Sequence, residues 1–155
     1  MNRDTRIAEA FDERPKRLKP EFDRPRMFLV TGASGFLGSH LTAALLARGH
    51  RVTALCRPGR GLSPHARMAR LAAWLDIRPD ARTRLEVCEG EIERPRLGLD
   101  KADALRLADR VETVLHCAAD TSFAARHRAR VERSNLAGLN HVLDFAREAG
   151  CPDFH

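Results

Sequence analysis

The chain has 155 residues, 43% of them apolar and 31% charged, with a formal net charge of +6. That is one domain's worth of protein with enough apolar content to bury a core. No apolar run approaches the roughly 18 residues a membrane helix needs, and from the polar, charged opening (residues 1–6) neither a secretory leader nor a transit signal is expected.

The basic excess does not point to nucleic acid. Arginines are interleaved with acids, lysine occurs only at Lys16, Lys19 and Lys101, and no aromatic residues alternate with the cations as a stacking platform requires. The expected partners therefore include neither nucleic acid nor membrane, and the expected location is cytoplasmic. The four cysteines, Cys56, Cys88, Cys117 and Cys151, are widely spaced with no C-x-x-C pair. They read as reduced, buried thiols, and no metal site is expected.

Residues 1–25 read as a charged, proline-containing arm, expected to be mobile, with Pro15, Pro20 and Pro25 interrupting regular structure. A short helix over 4–14 would put Ile7, Ala10 and Phe11 on one side. Residues 26–155 read as one domain of alternating strands and helices. Residues 27–31 form an apolar strand. Residues 36–48 follow as a helix with Leu37, Leu41, Ala44, Leu45 and Arg48 on its inner stripe, closed by Gly49. Residues 51–56 are a second strand, 58–64 a Gly/Pro-rich loop, and 65–75 a helix with Met68, Leu71, Ala72 and Leu75 inward. A third strand covers 84–90, a short helix 101–108 and a fourth strand 111–118. A long helix over 130–149 places Asn135, Leu139, Val142, Leu143 and Ala146 on one face, and residues 151–155 begin a fifth strand. This alternation predicts βαβ units and an α/β fold: a doubly wound parallel sheet of the Rossmann type.

The first strand runs directly into T-G-A-S-G-F-L-G at residues 31–38. Glycines three apart between a strand and a helix suit a tight turn that aims free helix N–H groups at a pyrophosphate. Gly32, Ser34, Gly35, Phe36, Leu37 and Gly38 are the candidate pyrophosphate contacts. An acid at the end of the second strand would hold a ribose 2′-OH. Here that place is Cys56-Arg57, and an arginine suits a 2′-phosphate through charge-assisted hydrogen bonds. NADP(H) is therefore favoured over NAD(H). Arg60, Arg67 and Arg70 are candidate helpers, each reading singly as a solvated charge. Ala118 and Ala119 end the fourth strand with small side chains that leave room on the nicotinamide side. His116 reads as a packed or capping histidine. Glu91 and Ile92, after the third strand, are candidate adenine contacts or a plain strand-end turn. Two readings of Asn135 stay open: a hydrogen bond to the backbone of the cofactor-side loop, or a cap on a neighbouring element.

These pieces together resemble the extended short-chain dehydrogenase/reductases, and within them the thioester reductase-like group of peptide synthetase terminal domains, carboxylic acid reductases and fatty acyl reductases. The matching segments are T-G-A-S-G-F-L-G (31–38), L-C-R (55–57), G-E-I-E-R-P-R-L-G-L (90–99), V-L-H-C-A-A (114–119) and N-L-A-G-L (135–139). The family usually has Asp in place of Glu91 and Thr in place of Leu139. The resemblance implies NADPH-dependent reduction of an acyl thioester to an aldehyde or alcohol. It also implies a Tyr-x-x-x-Lys pair, with Tyr as the general acid. The chain ends at Phe154-His155, ahead of that motif, and contains no tyrosine. The expectation is thus a cofactor-binding portion with no catalytic residue of its own, acting on a thioester only if completed by a further C-terminal half. The alternatives are a non-catalytic NADP(H)-sensing or scaffold module, or the remnant of a truncated reductase gene. An incomplete fifth strand would leave the fourth as an exposed apolar edge, predicting self-association.

Overall fold

The computed structural model describes residues 24–59, 61–122 and 124–155. The expected arm, apart from its last two residues, and the candidate helper Arg60 lie outside these. In chain order the elements are β1 (Met27–Thr31), α1 (Phe36–Ala47), β2 (Arg51–Cys56), α2 (Pro64–Trp74), α3 (Pro79–Arg82), β3 (Leu85–Glu89), a 3-10 turn (Pro95–Gly98), α4 (Lys101–Ala108) and β4 (Thr113–His116). After the fourth strand come a 3-10 turn (Ala125–His127), α5 (Arg128–Glu132), a π turn (Arg133–Ala137), α6 (Gly138–Glu148) and β5 (Asp153–Phe154).

All pairings are parallel, in the order β3-β2-β1-β4-β5. The central strand β1 is buried at every position because side chains leave it alternately for two cores. Phe28 and Val30 join Val52, Leu46, Met68 and Ala72 on one side. Met27 and Leu29 join Val114, Leu107, Val142 and Phe145 on the other. An unbroken apolar strand is what burial on two faces demands, and each fully buried Leu or Val contributes about 1.5–3 kcal/mol.

Three expectations need correction. In α1 the inner face is Gly38, Ser39, Thr42 and Leu46, while Leu37 is 59% exposed. Gly38 fixes that rotation: a Cβ there would sit 2.3 Å from Gly32 O, so the i, i+4 series starting at residue 38 faces the sheet. The helix over 130–149 is interrupted. The π turn divides it, and the inner face of α6 becomes Gly138, Val142, Phe145 and Ala146, without Leu139 or Leu143. The wider turn inserts an extra residue, so the faces before and after it are out of phase.

The third correction concerns β4, which is not an open edge. β5 pairs with it at Thr113↔Asp153 and Val114↔Phe154. The ladder continues through His155 N–H to Val114 O (3.0 Å) and His116 N–H to His155 O (2.7 Å). Val114 is fully buried. The outer strand is instead β5, where Asp153 is tied to Arg26 at 2.6 Å. A charged edge residue of this kind discourages pairing with another chain.

Candidate functional site

The carboxyl ends of β1 to β4 surround a cavity of about 560 Å³. It lies where the chain leaves β1 for β2 on one side and β4 on the other, the crevice in which open α/β sheets bind ligands. Its floor is the β1–α1 turn. Gly32 has φ +65°, and a Cβ on it would lie 2.6 Å from Ala118 N. Only glycine allows both the left-handed turn and the close approach of the β4 backbone. The turn closes through Gly35 N–H to Gly32 O at 2.8 Å. Gly35 is the N-cap of α1, and no side chain caps the helix. First-turn amides without a side-chain cap suit an anion.

Of the pyrophosphate candidates, Gly32, Ser34 and Gly35 line the cavity. Phe36, Leu37 and Gly38 form the first turn of α1 beside it. Phe36 is 83% exposed, with its ring against His40 at 4.8 Å, so what Phe36 and Leu37 present at the start of the helix is their backbone amides. Arg57 lines the rim at the end of β2, with Glu91 and Ile92 after β3 and Ala118 and Ala119 after β4. Arg67 donates to the carbonyl of Arg57. Arg67 and Arg70 line a second groove of about 460 Å³ with Leu62, Leu71 and Trp74, which meets the cavity at Ser34. The Glu91 carboxylate is paired with Arg94 at 3.0 Å.

The loop carrying Glu91 and Ile92 doubles back sharply. Arg96 and Leu97 both have left-handed backbones (φ 52° and 59°), as does Gly98 (φ 73°). Such conformations cost a non-glycine residue roughly 1–2 kcal/mol. The offset is local: Leu97 is fully buried in the core beside Leu29 and Val114, and its carbonyl accepts from Glu91 N–H at 2.7 Å.

The β4 side is held by polar contacts. Thr31 Oγ1 accepts from Ala118 N–H at 3.3 Å and lies 2.8 Å from His116 Nδ1. Burial lowers the His116 pKa, which favours the neutral ring; its other contact is a stacking arrangement on Phe154 at 6.3 Å. His116 is thus a packed residue under the cavity. Asn135, in the π turn, accepts from Asp120 N–H at 2.8 Å and donates to Asp120 O at 3.0 Å. Of its two open readings, the grip on the loop backbone is the one realised.

Asp120, Thr121, Ser122, Arg130 and Ser134 also line the cavity, and sequence reasoning missed them. Asp120 accepts from Ser122 N–H at 2.9 Å and from Arg130 Nε at 2.5 Å, while Arg130 reaches Ser122 Oγ at 2.7 Å. The Ser122 and Arg130 bonds hold the Asp120 carboxyl down at about 2. The usable signal was position: they follow β4 at the same end of the sheet as the glycine turn. Among the described residues no cluster of His, Cys, Asp and Glu could hold a metal, and no helix is long and apolar enough to cross a membrane.

A family model for NAD-binding domains described as male sterility protein matches residues 30–155. The chain belongs to this family. This male sterility-type domain is of the thioester reductase-like kind and binds a nicotinamide dinucleotide. It is 30% identical over 133 residues to fatty acyl-CoA reductase 1 of Mus musculus, covering 80% of this chain and 26% of that protein. Among solved structures, the terminal R domain of the myxalamid PKS-NRPS pathway aligns with a TM-score of 0.73 and 25% identity, over 84% of this chain and 34% of the other. The reductase domain of a Mycobacterium tuberculosis non-ribosomal peptide synthetase aligns with a TM-score of 0.64 and 28% identity, over 79% and 30%. The chain thus spans about a quarter of the mouse reductase it matches.

Proposed function

We propose that this chain binds NADP(H) in preference to NAD(H), as the cofactor-binding portion of a reductase acting on acyl thioesters. The observation that carries the preference is Arg57 on the cavity rim at the end of β2, where buried Cys56 precedes it and Pro58 follows it, so that β2 itself ends without an acid. A guanidinium there offers paired donors to a 2′-phosphate, where a carboxylate would repel it. The chain's own groups fit the rest of a dinucleotide. Gly32 and Gly35 keep Cβ atoms out of the turn, the first turn of α1 presents amides to the pyrophosphate, and Ala118 and Ala119 leave space on the far side.

When bound, the dihydronicotinamide supplies a hydride. The chain's residues bind and orient it: Asn135 and Thr31 fix the loop after β4 on which it would lie. The thioester substrate is supported by the mouse fatty acyl-CoA reductase and the peptide synthetase reductase domains among the relatives. A second reading is a non-catalytic NADP(H)-sensing or scaffold module, which binds the dinucleotide without turnover.

Calorimetric titration with NADP+ and NAD+ tests the binding. Tighter binding of NADP+ by at least about tenfold is expected, and equal affinities would refute the preference. Oxidation of NADPH by the purified chain with an acyl-CoA would refute the second reading.

A further inference from the structure

The two loop walls of the cavity are tied to one run of helix. Asn135 holds the wall after β4 through both backbone groups of Asp120. Further along, His141 in α6 has Nδ1 2.9 Å from the carbonyl of Ile92, in the wall after β3. Between them Gly138 lets Ile92 lie against the helix: a Cβ there would stand 2.9 Å from Ile92 Cδ1 and 3.1 Å from its Cγ1. The wall after β3 lies beyond β2 and Arg57, and the wall after β4 lies across β1. A dinucleotide with its pyrophosphate at α1 therefore has its adenosine end against the His141-held wall and its nicotinamide end against the Asn135-held wall.

We propose that His141 is a positioning residue for the adenosine end of the dinucleotide, and that the helix from the π turn into α6 is a two-point clamp with separable ends. The inference rests on the dinucleotide reading of this cavity and goes beyond it in assigning each wall its own anchor. A carbonyl oxygen only accepts, so His141 must carry a hydrogen on Nδ1. That requirement gives the wild-type chain a signature of its own, a hydrogen on Nδ1.

The test uses NADP+ and adenosine 2′,5′-bisphosphate, which lacks the nicotinamide end, titrated into the wild-type chain and three variants. His141→Leu is expected to weaken both ligands by about tenfold, the scale of one lost hydrogen bond. His141→Asn, whose Nδ2 can take the place of Nδ1, restores both to within about threefold of wild type. Asn135→Ala weakens NADP+ and leaves the bisphosphate unchanged. An unchanged bisphosphate affinity in His141→Leu, equal losses in the Leu and Asn variants, or a bisphosphate loss in Asn135→Ala that matches the NADP+ loss would each overturn the clamp. If His141→Leu fails to fold, the wild-type ring decides by nitrogen NMR: protonation at Nδ1 supports the clamp, and a neutral ring protonated only at Nε2 overturns it. Failure of the wild-type chain to bind either nucleotide would sink the dinucleotide reading itself, a result distinct from all of these.

Discussion

Gly32 packs directly against the backbone of Ala118: a Cβ on the glycine would come within 2.6 Å of the Ala118 nitrogen and 2.7 Å of the Cys117 oxygen. At Gly32 the turn that follows β1 thus meets the loop that follows β4 main chain to main chain. Gly32→Ala adds both a backbone clash and the strain of φ +65°. It is expected to destabilise the fold by at least about 2 kcal/mol and to abolish NADP+ binding. Urea denaturation and calorimetry check the two effects.

Arg57→Asp places a carboxylate at the end of β2, where it suits a ribose hydroxyl and repels a 2′-phosphate. The NADP+ affinity should fall by about 100-fold, the scale of lost charge-assisted bonds, while NAD+ binding holds or improves. An equal loss for both dinucleotides would count against Arg57 as the selector.

Leu46 is fully buried on the inner face of α1, whereas Leu37, near the start of the same helix, is mostly exposed. Leu46→Ala should cost about 2–5 kcal/mol as a cavity, and Leu37→Ala should stay within about 0.5 kcal/mol. Similar costs in chemical denaturation would mean the helix is rotated differently.

His116 and His50 both have pKa values lowered by burial, His50 also by Arg26 and Arg48. A depressed histidine pKa means the folded state resists the proton that the unfolded chain accepts. The stability is therefore present above the ordinary value of 6.5 and is lost as pH falls below it. The melting temperature should be flat from pH 8 to about 6.5 and decline below that. His116→Asn, which does not titrate, should lessen the decline; an unchanged slope would show that His116 does not contribute. Asp120, held at about 2, has the same sign but acts lower. Its contribution is lost between its ordinary carboxyl range and about 2, well below the histidine window.

The strands were readable because β1 and β2 are short, mostly apolar runs, interrupted only by threonine, with glycine and charged residues at their ends, a pattern with few other outcomes. The rotation of α1 was not. Leucines and alanines occupy all its sides, so its periodicity carried little direction, and a single steric fact at Gly38 decided it. The π turn was equally hidden, since one extra residue in a helix leaves the local composition unchanged while shifting every later face. Gly32, Ser34, Gly35, Arg57, Glu91, Ile92, Ala118 and Ala119 could be named because each stands in a strand-end motif. Asp120 and Arg130 could not, because loop residues have no period and their pairing is made only in three dimensions. The short β5 reversed the expected edge: two ladder residues and an ion pair to Arg26 cover what apolar composition alone suggested would be open.

A loop at the mouth of a site is ordinarily among the softest parts of a domain. The loop after β3 is different, because its turning point is the buried Leu97, whose carbonyl also holds the Glu91 amide. The wall cannot swing away by a local hinge. Opening it means extracting a leucine from the interior, at about 1.5–3 kcal/mol, and disturbing the packing around Leu29 and Val114. If the proposed adenosine end lies against this wall, its release is tied to that same opening, so hydrogen exchange at the Glu91 amide and release of adenosine should rise and fall together.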